Sequence, residues 1–171
     1  MKIVVPVNAD LMIPDRVNRV MQSPQSPDVI CERDRRVRLW RAATDNIPVD
    51  RLAAERLQQL RIFRGQRGIW VDVHETRKAT HALVGATVSV LHLGGRYADD
   101  LGPKSLAYHY PETKVPGRDR MEVDATKMAS RLKLPVFVVT PGVTGRLRWL
   151  RRANVEGWND SERSFTLEFF V

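Results

Sequence analysis

LHLGGRYADDLGPKSLAYHYPET, residues 91–113, carries the end of an apolar run through Gly94, Gly95, Asp99 and Asp100 into a second, aromatic run. This is the pattern of strand, turn and strand. The same texture continues on both sides: residues 69–73, 83–93, 106–110, 135–140, 147–155 and 164–171 read as short strands separated by Gly, Pro and Asp. One helix interrupts them, because Met121, Ala125, Met128 and Leu132 share a face at helical spacing and Pro135 closes the run. Short strands around a single long helix predict an α+β fold, a curved, mostly antiparallel sheet or small barrel flanked by helices.

Towards the N-terminus the text changes. Residues 2–7 are a strand candidate, and residues 21–27, Met-Gln-Ser-Pro-Gln-Ser-Pro, form a turn-rich connector. Residues 29–43 place Val29, Val37, Leu39 and Trp40 among five arginines and read as a surface helix. A second helix is expected from Pro48 to Leu60, where Val49, Leu52, Ala53, Leu57 and Leu60 fall at helical spacing. The division that follows is an N-terminal extension over residues 1–60, packing on a core domain over residues 61–171.

The chain has 171 residues, 43% of them hydrophobic and 28% charged, enough for one globular domain with its own core. The run 79–95 lacks acids, Lys and Arg, but Thr80, His81, Gly85, Thr87, Ser89 and His92 unsuit it to a bilayer. The apolar start at residues 3–7 is cut short by Asn8 and Asp10, which argues against a secretory leader. Cys31 is alone, so neither an internal disulfide nor a Cys-rich metal cage is available, in keeping with a reducing cytoplasm. His74, His81, His92 and His109 show no zinc-site spacing, and no nucleotide-binding Gly-rich loop is present. No metal or cofactor is expected.

Charge points to a partner. The formal net charge is +8, and residues 61–171 hold eighteen Lys and Arg against twelve Asp and Glu, compared with ten against eight before them. A basic excess on the core domain attracts a polyanion, with nucleic acid the leading class. Residues 91–113 supply matching chemistry. Gly94 and Gly95 let backbone approach a ligand, Tyr97 and Tyr108 are able to sandwich an aromatic base, and Asp99 or Asp100 accepts from an exocyclic amine. A base must leave the duplex stack to be held in this way. The same letters also describe a plain turn with tyrosines in a core.

Leu93-Gly-Gly-Arg-Tyr-Ala-Asp-Asp100 followed by Tyr108 resembles the base-pocket signature of the SET- and RING-associated (SRA) domains, with Gly68-Ile-Trp-Val-Asp72 before it and Gly117-Arg-Asp119 after it. Residues 60–169 are similar to the SRA-like domain at the N-terminus of bacterial modification-dependent HNH endonucleases. The resemblance implies a PUA-like curved β-barrel that flips a modified cytosine, 5-methyl or 5-hydroxymethyl, out of double-stranded DNA. It implies Tyr97 and Tyr108 as stacking platforms, with Tyr110 an alternative to Tyr108, Asp100 as acceptor from the cytosine amine, and Leu93, Gly94 and Gly95 as backbone against the ring edge. This sequence departs from the family pattern in the inserted Arg96 and in Tyr108-His109-Tyr110. The family's HNH nuclease module would lie outside this sequence, which makes the chain a reader in bacterial defence rather than an enzyme. There is room for a homodimer.

Phosphate contacts are expected from Arg146, Arg148, Arg151 and Arg152, from Arg61, Arg64 and Arg67, and from Arg118 and Arg120 in a finger-like loop over residues 111–120. Trp70, Trp149 and Trp158 are assigned to packing. Two other functions fit parts of the text. Asp100 with Glu112 and Lys114 has the composition of a Mg²⁺ nuclease centre, although Pro111 breaks the strand that should carry it. A PUA-like barrel also suits an RNA-binding module.

Overall fold

The computed structural model describes residues 22–65, 67–94 and 100–170. In chain order these form α1 (Pro27–Thr44), β1 (Leu52–Ala53), α2 (Ala54–Gln59), β2 (Ile69–Val71), α3 (Val73–Thr80), β3 (Thr87–Leu91), β4 (Asp100–Leu101), β5 (Ser105–His109), α4 (Pro116–Arg131), β6 (Val136–Pro141), β7 (Leu147–Asn159) and β8 (Ser164–Phe170). All eight strands join one open sheet in the order β2-β3-β6-β7-β8-β5-β4, with β1 pairing to the start of β7. Only β3 and β6 run parallel. The fold is therefore mixed α/β with a mostly antiparallel sheet, as the short, alternating runs require. No described helix is long and apolar enough to cross a membrane.

Strand alternation gives the sheet two faces with separate cores. On one, Val136, Val138, Ala153, Val155, Phe165 and Leu167 pack with Ala125 and Ala129 of α4 and with Leu132 at its C-terminal cap. On the other, Phe137, Val139 and Leu150 pack with Ala43, Leu52 and Leu57 from α1, β1 and α2. The sheet is curled as well as two-faced. Tyr108 of β5, near one end of the strand order, donates its hydroxyl to the carbonyl of Leu91 of β3, near the other end, at 3.4 Å.

Two expected elements differ, and one helix was not expected. The helix proposed from Pro48 to Leu60 is only α2, because Leu52 and Ala53 are drawn out as β1 opposite Arg148 and Leu147. Sheet pairing there overrides helical spacing. The expected loop over residues 111–120 ends at Val115, since Pro116 takes the first turn of α4, where its missing N–H costs nothing. Asp119 fixes that entry by accepting from the Thr113 backbone N–H and hydroxyl, both at 2.6 Å. Helix α3, not anticipated, is capped by the Asp72 carboxylate, which accepts from Glu75 N–H at 3.4 Å. Its buried face is Thr76, Ala79 and Thr80, too polar to stand out as amphipathic. The strand expected at residues 2–7 lies outside the described residues.

Helix α1 runs where it was expected, but its buried face is unusual. Val29, Glu32, Arg36 and Ala43 point inward, two of them charged. Arg36 is 1% exposed and donates from Nε to Glu32 at 2.8 Å and from Nη1 to the carbonyls of Thr87 and Pro135 at 2.8 and 2.7 Å. Glu32 also accepts two bonds from Arg35, at 2.6 and 2.9 Å. Burial pushes the Glu32 carboxyl up, yet the Arg35 hydrogen bonds and the two guanidinium charges outweigh it and hold the group below its ordinary range.

Candidate nucleic-acid interface

The expected pocket lies where β3 leaves the sheet. Leu91 N–H donates to the Gly68 carbonyl at 2.6 Å and His92 N–H to the Val139 carbonyl at 2.9 Å, so the chain is held from both sides up to this point. Leu93 is then half exposed, and Gly94 adopts φ +75°, a left-handed conformation open to glycine without strain. Gly95, Tyr97 and Asp99 lie outside the described residues, and with them the expected roles of Gly95 and Tyr97. Asp100 is exposed on β4, opposite Ala107 of β5.

Tyr108 follows directly after Ala107 and is buried at 7% exposure beneath Leu91. A Cβ on Gly68 would stand 2.6 Å from the Tyr108 hydroxyl oxygen, so the absence of a side chain at Gly68 is what lets the ring reach this far. The structure thus brings together Gly68, the Leu91–Gly94 exit and Tyr108, with Asp100 on the strand beside Tyr108's own. Tyr110 shares Tyr108's side of the strand, as alternation requires, but is engaged elsewhere. Its hydroxyl donates to Asp160 at 2.8 Å, its ring packs tilted against Phe165 with centroids 4.5 Å apart, and Lys127 and Arg163 lie against it. Burial first, and the Asp160 hydrogen bond second, raise its pKa.

The arginine run on β7 does not form a single face. Arg151 sits opposite Val138 and Arg152 opposite Phe137, so the two belong to opposite sides of the sheet. Arg151 shares the α4 side with Tyr108, Phe165 and Phe169. Its guanidinium lies 4.1 Å from the Trp149 ring centroid and 4.6 Å from that of Phe169, and Nη2 reaches the Thr140 hydroxyl at 3.4 Å. Arg152 faces α1 instead, 4.8 Å from Trp40 and 4.9 Å from Phe170. Arg148 folds back onto the Gly145 and Leu147 carbonyls, both at 2.8 Å, while Arg146 is exposed.

Of the other arginines, Arg61 is tied to the buried Asp72 carboxylate by Nη2–Oδ1 and Nε–Oδ2 contacts of 2.8 Å each. Arg64 is exposed, 6.0 Å from the Trp70 ring, and Arg67 is exposed beside Gly68. Arg118 bonds the Thr113 hydroxyl at 3.2 Å, and Arg120 is exposed in the first turns of α4.

Two residues stand differently from what sequence reasoning suggests. Trp149, expected to pack, is 40% exposed and stacks with Arg151 at the same end of the sheet as the β3 exit. Alternation alone gave no sign of this, because exposure there depends on no helix covering the strand start. Glu122 of α4 is 5% exposed with Arg118 3.9 Å away. Burial raises its pKa, with Asp119 adding to the rise and Arg118 and Arg67 opposing it. Its place on a helix face was visible, but a carboxylate on the inward side is not what periodicity suggests.

Glu112, a member of the nuclease trio, pairs with Arg163 at 2.9 Å, and Lys114 is exposed. No three of His, Cys, Asp and Glu gather into a metal-holding group among the described residues. Comparison with protein-family models, with curated proteins and with solved structures finds no match.

Proposed function

We propose that the chain is a DNA-binding reader of modified cytosine, 5-methyl or 5-hydroxymethyl, which takes the flipped base at the β3 exit and acts as the specificity domain of a modification-dependent endonuclease. In this reading the curled sheet is a PUA-like, SRA-like barrel left open between its end strands. The observation that carries the proposal is the joining of residues far apart in the strand order: Leu91, two residues before the Leu93–Gly94 backbone, meets Gly68 and Tyr108 at the end of the sheet where the net-basic core domain exposes Trp149 beside half-buried Arg151.

Each part has a task. Gly94 and its neighbours offer backbone to the ring edge, Asp100 accepts from the cytosine amine, and Tyr97 with Tyr108 encloses the ring. Arg151 and Trp149, on the same face as Tyr108, hold the flanking strand through a phosphate and a stacked base. Arg64, Arg67 and Arg146 add exposed positive charge, whereas Arg61 serves Asp72.

A fluorescent base analogue opposite an abasic or mismatched position in a duplex brightens when it is flipped. The wild-type chain is expected to brighten it, and Tyr97→Ala to leave it dim with binding weakened by about 1–3 kcal/mol. Equal brightening by Tyr97→Ala would remove the stacking role.

A further inference from the structure

A cavity lies on the opposite side of the sheet from Tyr108, between α1 and the strands β6, β7 and β8. Its volume is about 480 Å³, within the range of small-molecule sites. Arg33, Arg36, Lys133 and Arg152 all line it, and no Asp or Glu does. Glu32 reaches Arg36 from outside the lining and Arg33 donates to the Pro24 and Leu132 carbonyls, yet positive charge remains in excess on the wall.

The local balance of hydrogen bonds agrees. Glu32 is shared between Arg35 and Arg36, one carboxylate for two guanidiniums. Arg36, 1% exposed, spends Nε and Nη1 on Glu32, Thr87 and Pro135, and its Nη2 has no partner. A buried guanidinium nitrogen without an acceptor costs roughly 1–3 kcal/mol or more. Arg152, which lines the same cavity, is likewise left with an unpartnered Nε while its guanidinium rests against Trp40 and Phe170. Burial lowers the pKa of both guanidiniums, the cost that a bound anion would offset. The remaining wall is mostly apolar, with Phe137, the partly exposed Phe170, Val37 and two prolines, and adds the polar Gln25 and Asn154.

We propose that this cavity binds a phosphorylated small molecule of nucleotide size, with its phosphate on Arg36 Nη2 and Arg152, Arg33 and Lys133 at the rim, and its ring against Phe170. Planar guanidiniums match phosphate oxygens in paired hydrogen bonds, and the volume leaves room for a body that inorganic phosphate does not possess. The site is independent of the base pocket, since it lies on the other face and shares no residue with it.

Calorimetric titration of the intact chain with the four ribonucleoside 5′-monophosphates tests this, with the parent nucleosides and inorganic phosphate as controls. At least one monophosphate should bind at least about tenfold more tightly than its nucleoside and than phosphate alone. Arg152→Met should weaken that binding by about tenfold or more, and Lys133→Gln by about threefold, with thermal melts verifying that both remain folded. Arg36 is left unchanged in these variants because it also holds the Thr87 and Pro135 carbonyls. The proposal is overturned if no monophosphate binds at about 1 mM, if phosphate alone binds as tightly, or if Arg152→Met binds like wild type. Displacement of the nucleotide by unmodified duplex DNA would also overturn it, by making the cavity part of the DNA path.

Discussion

The two faces of the sheet treat positive charge differently. On the α4 face, half-buried Arg151 lies on β7 against Trp149 and Phe169, with Nη2 on the Thr140 hydroxyl and, among the described residues, no carboxylate in its pairing. On the α1 face, Arg36 is buried beside Glu32, which also serves Arg35, while half-buried Arg152 rests against Trp40 and Phe170. Neighbouring arginines in one strand thus belong to two different environments. Net charge is a property of the whole chain, but what a charge does depends on which face alternation assigns it.

The largest effect should come from the α1 face. Glu32→Gln takes away the carboxylate that compensates two guanidiniums, one of them fully buried, and should destabilise the fold by roughly 3–5 kcal/mol, read as a lowered denaturant midpoint. The pH dependence follows in sign. Because the folded-state pKa of Glu32 lies below its unfolded value, its contribution is complete above the unfolded pKa and is lost as pH falls through the folded one. Acid melts of wild type and Glu32→Gln should converge. Melts that remain parallel down to low pH would assign the network to some other group.

A smaller effect separates the adjacent arginines. Arg151→Ala should weaken binding to modified and unmodified duplexes alike and reduce the slope of log affinity against log salt by about one. Arg152→Ala should leave both unchanged. Equal losses from the two variants would mean that DNA reaches both faces, and the contrast between them would fail.

The smallest effect concerns Glu122 on α4. Its folded pKa is raised by burial, so its ionised form costs stability as pH rises through that value. Glu122→Gln should stabilise the fold at neutral pH by about 1 kcal/mol or less and make no difference below the unfolded carboxylate range. A destabilised variant at pH 7 would show that the 3.9 Å contact with Arg118 outweighs burial.

What the sequence revealed follows the same physics. Six strands were legible because each alternates or runs apolar between Gly, Pro and Asp, and α4 because its apolar face repeats at helical spacing. Helix α3 escaped notice because Thr76 and Thr80 satisfy their hydroxyls on local carbonyls and so pass for loop residues in a hydropathy reading. The inward face of α1 was misread because Glu32 and Arg36 bury charge in mutual pairs, which no scale of hydrophobicity registers. In the candidate site, Gly94 was singled out for close backbone approach to a ligand, and its left-handed φ of +75° is a further demand for glycine that the sequence reading did not name. The roles of Gly68 and Trp149 were not legible, since one depends on a contact between strands far apart in the sheet and the other on a strand end left uncovered.

The reader assignment rests on Asp100, an exposed carboxylate on the strand beside Tyr108. A carboxylate accepts from the cytosine amine and repels the carbonyl of thymine, so its loss should affect discrimination more than general affinity. The most direct measurement is the affinity of wild type and Asp100→Ala for one duplex carrying cytosine, 5-methylcytosine, 5-hydroxymethylcytosine or thymine at a single position. Wild type should prefer a modified cytosine, and Asp100→Ala should give up about 1–3 kcal/mol of that preference while non-specific binding persists or strengthens. Full preference retained by Asp100→Ala, or no preference in wild type, would contradict the account.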